Sequence, residues 1–483
     1  MPRLLVLFFC LLAPVSCLPL AAAQPPNVVL ILADDLGWTD IAPFGSDLHE
    51  TPALDQLARD GMKFTQNYSA CTVCSPTRAA LMTGKYPARL HVTDWIPGAM
   101  PDNPKLLVPD WTKFLPTDET TLAKVFKAAG YATALIGKWH LAKVGTHESY
   151  PEAFGFDLNI AGTDKPQPST YYAPYKIPTL QPEGPEGEYL TDRLGDEAVK
   201  WIEANKDRPF FLYLPHFAVH LPLQGRADLT EKYQRKIAAK GADALNHKNP
   251  GYAAMTESMD TAIGRVRAKL AELKLTEKTI VIFTSDNGGR VPTTSNVPLR
   301  LGKASAYEGG VRVPLIVSWP GVTKPGSVSD NPVITMDLFP TLVEMAGLPA
   351  AAARTAIDGV SFAPVLRGGA TRTRDTMFWH YPHHQHYQLG GAMPYGAVRS
   401  GDFKLVEFFN DMHVELYNIR ADISEKTDLA ASNRAKTEEL RKKLHAWRTE
   451  VGAQMPTPNP KHDPARPEYT PPAGKAKKQQ TGD

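Results

Sequence analysis

The stretch Cys71-Thr72-Val73-Cys74-Ser75-Pro76-Thr77-Arg78-Ala79-Ala80-Leu81-Met82-Thr83-Gly84 puts a thiol where a loop turns into a helix. Ser75 has the side chain of a helix cap, Pro76 fits a first turn, and Gly84 is a natural stop. Arg78 falls in that first turn. Position 74 is therefore expected at the positive end of a helix dipole beside a guanidinium, a place that suits an anion. A Cys-x-x-Cys pair can also be a redox dithiol, and that reading stays open at this point.

Two apolar runs carry oxygen ligands at their ends. Asn27 to Ala33 ends in Asp34-Asp35, and Thr279 to Thr284 ends in Ser285-Asp286-Asn287-Gly288. Neither run alternates, which predicts strands buried on both faces of a mainly parallel sheet. Ligands of such sheets gather beyond the carboxyl ends of the strands. Three carboxylates and an amide oxygen form a hard-oxygen site for Ca²⁺, with Mg²⁺ second, rather than a zinc site. The plainer alternative is that Asp34 and Asp35 cap the next helix and Asp286-Asn287-Gly288 is only a turn.

Cations and imidazoles follow the same geography. Gly137-Lys138-Trp139-His140 follows a predicted strand, His216 and His220 follow another, and Lys303 precedes Tyr307-Glu308-Gly309-Gly310-Val311-Arg312. Gathered on one anion, Arg78, Lys138 and Lys303 would neutralise it, and His140 and His220 could exchange protons near neutral pH.

The elements that must position these groups alternate. Helices are expected at 51–61, 120–129, 192–204 and 255–273, and strands at 131–136, 209–214 and 313–319. This is an α/β pattern: a large mixed, mainly parallel sheet sandwiched by helices. Beyond residue 370, short antiparallel strands (395–407, 413–418) and a helix (435–451) predict a small C-terminal antiparallel α+β subdomain. The expected divisions are 24–369 for the catalytic domain, 370–455 for the subdomain, and 456–483 for a Pro- and Lys-rich tail without order. Residues 161–188 are expected to form a long surface loop.

These motifs resemble those of the type I, formylglycine-dependent sulfatases, arylsulfatase-like members of the alkaline phosphatase superfamily. The resemblance runs from Asn27 to about Asp428. It rests on Cys74-Ser75-Pro76-Thr77-Arg78 with Thr83-Gly84, Asp34-Asp35-Leu36-Gly37, Gly137-Lys138-Trp139-His140, Ser285-Asp286-Asn287-Gly288 and Gly302-Lys303. Thr77 stands where serine is commoner, and leaves Cys74, Pro76 and Arg78 in place.

The resemblance implies that a formylglycine-generating enzyme oxidises Cys74 to Cα-formylglycine, and that its hydrate attacks sulfur to give a covalent sulfo-enzyme. It implies Ca²⁺ on Asp34, Asp35, Asp286, Asn287 and position 74. Arg78 and Lys138 would orient the diol, and Lys138, His220 and Lys303 would bind the sulfate. His220 and Lys303 would also protonate the leaving oxygen, while His140 would take the proton that releases sulfate. His220 is preferred to His216 because Val219-His220-Leu221-Pro222 matches the family's His-x-Pro element.

The remaining features set limits. A net charge of +2 over 483 residues gives no field for nucleic acid or a membrane surface. Arg3, the apolar run Leu4 to Leu12, and Ala21-Ala22-Ala23 predict a signal peptide over 1–23. The chain is then exported, periplasmic or secreted, without a stable membrane span. Cys10 and Cys17 leave with that segment, so Cys71 and Cys74 remain, and a bond between them is conceivable. Trp379 to Tyr387, dense in rings and histidines, is a candidate wall for a sulfated carbohydrate, with Trp95, Trp111, Tyr171 and Tyr172 as further candidates. An aryl sulfate, a phosphonate or phosphate ester, and a catalytically dead sulfated-glycan binder are the alternatives.

Overall fold

The computed structural model describes residues 25–350, 356–369, 373–384 and 393–468. The expected signal peptide lies outside them.

β1 (Asn27–Ala33) shows why the chain folds as layers. Val28, Leu30 and Leu32 enter one core, and Val29, Ile31 and Ala33 enter the other. An unbroken apolar run therefore serves two faces at once, as a central strand must. The remaining strands of its sheet are β2 (Met62–Phe64), β3 (Ala132–Ile136), β4 (Leu158–Ile160), β5 (Phe210–Pro215), β6 (Thr279–Ser285), β7 (Leu315–Ser318) and β8 (Ser327–Ser329). Their order is β8-β2-β7-β6-β1-β5-β3-β4. β1 pairs in parallel with both β5 and β6, and β7 is antiparallel to both its neighbours. The sheet is thus mixed and mainly parallel.

The helices include α1 (Pro52–Asp60), α2 (Cys74–Thr83), α3 (Leu122–Ala128), α4 (Leu190–Ala204), α5 (Ala227–Lys240), α6 (Pro250–Glu272) and α7 (Arg434–Val451). α6 begins five residues before the predicted Met255. Asn249 caps it by accepting from the Tyr252 N–H, and Pro250 takes the first position. A second sheet, antiparallel throughout, holds β9 (Thr376–Tyr381), β10 (Tyr395–Ser400), β11 (Phe403–Phe408) and β12 (Val414–Asn418).

Two expectations fail. Residues 161–188 have no regular element, yet Tyr171, Tyr175 and Leu180 are buried in the core. The tyrosines supply apolar area and a hydroxyl for backbone carbonyls, which lets irregular chain be buried. The segment following 455 is also ordered up to 468. Thr457–Pro458 pairs with Leu106–Leu107, and Asn103 Nδ2 donates to the carbonyls of Asp463 and Arg466. Composition misled here because main-chain pairing needs few apolar side chains. The rest of the expected tail lies outside the described residues.

A buried ion cluster ties β11 to the turn before β7 and to the loop after β12. Lys404 Nζ lies 3.1 Å from Glu308 Oε1 and 3.0 Å from Glu425 Oε1, with all three side chains fully buried. Glu308 also accepts from Tyr68 Oη at 2.8 Å. Burial and the Glu308 charge push the Glu425 carboxyl up to about 7. Lys404→Met strands Glu425 without a cation and leaves Glu308 with Arg312, 3.4 Å away, as its remaining ion-pair partner. It is expected to cost about 3–5 kcal/mol in urea unfolding at pH 7; a loss under about 1 kcal/mol would show that the cluster does not hold these segments together.

Candidate active site

The turns that leave β1, β3, β5 and β6 meet at one edge of the sheet. Asp34 N–H donates to the Ala218 carbonyl, Lys138 N–H to that of Pro215, and Asp286 N–H to that of Ala33. These cross-ties fix the side chains that follow. Gly137 makes the approach possible: its φ is +130°, and a Cβ there would lie 1.9 Å from the Pro215 carbonyl oxygen.

Cys74 opens α2, and Val73 precedes it without a side-chain cap. Ser75 is not the cap that the sequence predicts. Its hydroxyl donates to the His140 carbonyl at 2.9 Å and accepts from Ile96 N–H at 3.1 Å. It spends its bonds on holding His140. Thr77 Oγ1 accepts from Cys71 N–H and shapes the loop before the helix, as a serine could.

Around Cys74, charges alternate. Lys303 Nζ lies 3.7 Å from its Sγ and 2.6 Å from Asp35 Oδ1. Lys138 Nζ lies 2.6 Å from Asp34 Oδ2. Arg78 forks onto Asp286 Oδ2 at 2.8 and 3.0 Å and donates to the Lys138 carbonyl. Three carboxylates and three cations thus balance in a buried centre. The environment acts on each group in a definite direction. Burial opposes ionisation of Asp35, but Lys303 and His220 outweigh it and hold the carboxyl well below its usual range. Burial and the Asp34 charge raise Asp286 to about 6. Burial pushes the Cys74 thiol up to about 11 against the pull of Lys138 and Lys303, and Cys71 to about 12. Both thiols are free and protonated, so neither the disulfide nor a low-pKa redox dithiol is present.

The histidines differ. His140 donates from Nε2 to the Ile96 carbonyl at 2.6 Å, which leaves Nδ1 as its lone pair. That Nδ1 is buried and has no partner. Burial and Lys138 keep the ring neutral at pH 7. His220 turns Nε2 toward Asp35 Oδ2 at 3.5 Å and Nδ1 toward the Leu221 carbonyl at 3.2 Å. Burial lowers it to about 3; Asp35 pulls upward, Lys303 and Lys138 downward. His216 is buried elsewhere, with neither ring nitrogen bonded, so the site takes His220 alone.

A metal fits these residues. One ligand atom each from Asp34, Asp35, Cys74 and His220 lies within 4.8 Å of the others. Asp34 Oδ1 and Asn287 Oδ1 are buried oxygens with no hydrogen-bond partner. Such orphans are costly unless something positive satisfies them. Asp286 stands outside that group, with Oδ2 committed to Arg78 and Oδ1 to Asp35 N–H.

Above the centre, a cavity of about 200 Å³ is lined by Cys74, Trp95, His140, Pro166, Gln167, His220, Leu221, Arg290 and Lys303. Among the described residues, Trp95 is the one sequence candidate for the substrate wall that lines it. Trp111 is buried; Tyr172 donates to the Gly225 carbonyl. Nor is the histidine-rich stretch a sugar wall where it is described. His380, His383 and His384 are buried, bonded to the Gln454 carbonyl, Thr93 Oγ1 and the Leu106 carbonyl. They pack the C-terminal sheet onto the loops at 93 and 106; residues 385–387 lie outside the described residues.

The sequence reading missed the supports. Tyr171 Oη is a buried donor within reach of the Phe217 (2.7 Å) and His220 (2.9 Å) carbonyls. Tyr171→Phe is expected to lower stability by about 1–3 kcal/mol and kcat by about tenfold as His220 drifts. A variant with unchanged kcat would show that Tyr171 only packs. Arg290, three residues beyond Asn287, had a visible signal: a cation just past a ligand-bearing turn.

Comparison with known proteins adds the family. The model described as "Sulfatase" matches residues 26–348, and "N-sulphoglucosamine sulphohydrolase, C-terminal" matches 301–453. A "Sulfatase" of Formosa agariphila is 35% identical over 92% of this chain and 93% of its own. Human "Arylsulfatase A" is 34% identical over 80% of this chain and 75% of its own. The crystal structure of "Ps i-CgsB in complex with k-i-k-neocarrahexaose" superposes with a TM-score of 0.74 at 29% identity, covering 92% of this chain and 96% of that one. With the first of these models spanning well over half its length, the chain belongs to the sulfatase family of the alkaline phosphatase superfamily and is a sulfuric ester hydrolase.

Proposed function

We propose that the chain removes sulfate from a carbohydrate by formylglycine chemistry at position 74 with calcium alongside. The observation that carries this is the placement of Cys74: first in α2, facing the cavity, with Lys303 at 3.7 Å and the carboxylates behind it. As a buried, protonated thiol it is a poor nucleophile, which favours its being a precursor. A formylglycine-generating enzyme would act before folding closes the site. Formylglycine hydrate would supply two hydroxyls, one to attack sulfur and one to release sulfate. Calcium would sit on Asp34, Asp35, Asn287 and position 74, with Asp286 at its border, and would withdraw charge from the reacting oxygens.

The chain's own residues do the rest. Arg78, locked on Asp286, holds α2 in register with the strand ends. Lys138 and Lys303 face the sulfate oxygens, and Lys303 can protonate the leaving oxygen. His140 presents Nδ1 as the base, its tautomer fixed by Ile96. His220, with Nε2 turned toward Asp35, is the second group placed to donate to the leaving oxygen. With three cations already balancing three carboxylates, a divalent ion leaves the centre positive and suited to an anionic ester.

For the substrate, Trp95 offers a ring for a sugar face, and Arg290 and Gln167 offer donors at the mouth. The neocarrahexaose complex of the i-CgsB relative supports an oligosaccharide over a small aryl ester. Export by the 1–23 segment, and a division into 24–369 and 370–455, belong to the same reading. The rival is phosphonate chemistry: a phosphonate monoester hydrolase of Agrobacterium radiobacter shares the fold at 22% identity and TM-score 0.65. Turnover of sulfated oligosaccharides beside matched aryl sulfate, phosphonate and phosphate esters decides. The oligosaccharide is expected to have the highest kcat/KM; faster phosphonate cleavage would overturn the assignment.

A further inference from the structure

A second set of ligating side chains lies apart from the catalytic centre. Asp40, His49 and His247 are all buried, and one ligand atom from each lies within 4.8 Å of the others. They come from three places: the loop after Asp35, the turn before α1, and the connection into α6.

Both imidazoles are held from outside. His49 Nδ1 is 2.7 Å from the Asp40 carbonyl oxygen. A carbonyl only accepts, so that nitrogen carries the proton and Nε2 keeps the lone pair. His247 Nδ1 is 2.7 Å from Asp47 Oδ1 and donates to it, so Nε2 is the nitrogen that faces Asp40, and a metal there would take the place of any proton on it. Metal-bound histidines are oriented in this way, by an oxygen on the far ring nitrogen. His247 Nε2 is buried and stands 3.2 Å from Asp40 Oδ1, its nearest charged neighbour, and against the effect of burial the two carboxylates raise the ring's pKa. That distance is close to the edge of a tetrahedron of ligands at zinc bond lengths of about 2.0–2.1 Å.

Asp40 is fixed as firmly. Its Oδ1 accepts from Thr294 Oγ1 at 2.6 Å; its Oδ2 accepts from Gly37 N–H at 2.6 Å and Tyr252 Oη at 2.5 Å. Oδ1 retains a lone pair on the side of His247.

We propose that Asp40, His49 and His247 form a zinc site. Two imidazoles and one carboxylate select zinc over calcium, the reverse of the preference of the oxygen-rich centre. The ion would act by positioning rather than by chemistry. It would tie the turn at 46–50 and the connection at 241–249 to the loop that carries Asp34 and Asp35. Tyr252 relays that tie, since its hydroxyl reaches both the Asp35 carbonyl at 3.2 Å and Asp40.

The test uses the full chain carrying Cys74→Ala and His220→Ala, so that the catalytic centre cannot claim zinc through sulfur or nitrogen. The chain is stripped with chelator and titrated with zinc chloride. One saturable equivalent is expected, together with a higher Tm and an X-ray absorption spectrum of two imidazoles and oxygen without sulfur. Adding His49→Gln or His247→Gln should remove both the equivalent and the rise in Tm. The proposal is overturned by a chain that takes no zinc, as when a proton on His247 bridges Asp40 and Asp47, or by zinc that survives both glutamine changes. If those variants fail to fold, the absorption spectrum of the starting chain decides alone, and a sulfur or all-oxygen shell overturns it.

Discussion

Cys74→Ala is expected to lower kcat for sulfate-ester hydrolysis by about 10⁴-fold or more while the chain stays folded. The side chain removed is one sulfur atom at the start of a helix whose whole length is buried. Its loss leaves α2 anchored by Ser75, Thr77 and Arg78, each with partners independent of position 74. The stability cost is therefore a small cavity, about 1–2 kcal/mol. The catalytic cost is the nucleophile itself, which Lys138, Lys303 and His140 cannot replace because none presents an oxygen to sulfur. Steady-state kinetics beside a circular dichroism melt would check this. A folded variant within tenfold of the parent would remove position 74 from the chemistry.

Asp35→Asn carries the second large effect. The substitution keeps the shape and removes one negative charge from a balanced centre. Lys303 loses its carboxylate partner, and the metal loses a ligand whose pKa is held low enough to stay ionised at any working pH. The variant is expected to purify without bound calcium and to lose about 10³-fold in kcat, the scale of several kcal/mol of charge stabilisation. The sign of the pH dependence follows. Because the carboxyl is depressed in the folded state, the stability it contributes is present above the usual carboxylate range and lost only as pH falls through its folded pKa. The variant should therefore be less stable than the parent at pH 7, and the gap should narrow in acid. Calcium retained by elemental analysis, with kcat near the parent's, would contradict the assignment.

How much of this was legible in the chain depends on the kind of signal. β1 and β6 were readable because an apolar run without alternation has few other uses, and their terminal acids pointed to the sheet edge. Cys74, Arg78, Lys138, His140, His220 and Lys303 were readable through motif spacing, and the structure brings all six to one place. The errors came from groups whose partners are distant in sequence. Ser75 looked like a helix cap, and nothing local shows that His140 and Ile96 compete for its hydroxyl. Tyr171 and His383 looked like rings for a ligand, because aromatic and imidazole groups serve packing and binding equally. The order at 457–468 comes from pairing of Thr457–Pro458 with Leu106–Leu107 and from hydrogen bonds to Asn103, which composition does not record. Asp40, His49 and His247 were silent, since neither spacing nor a shared motif links them.

The central claim is the identity of the group at position 74. It is tested most directly by the mass of the tryptic peptide Phe64–Arg78 from active protein made in a host with the maturing enzyme. The account predicts an aldehyde, or its hydrate, in place of the Cys74 thiol, with Cys71 unchanged. An intact thiol at position 74 in protein that turns over sulfate esters would contradict it.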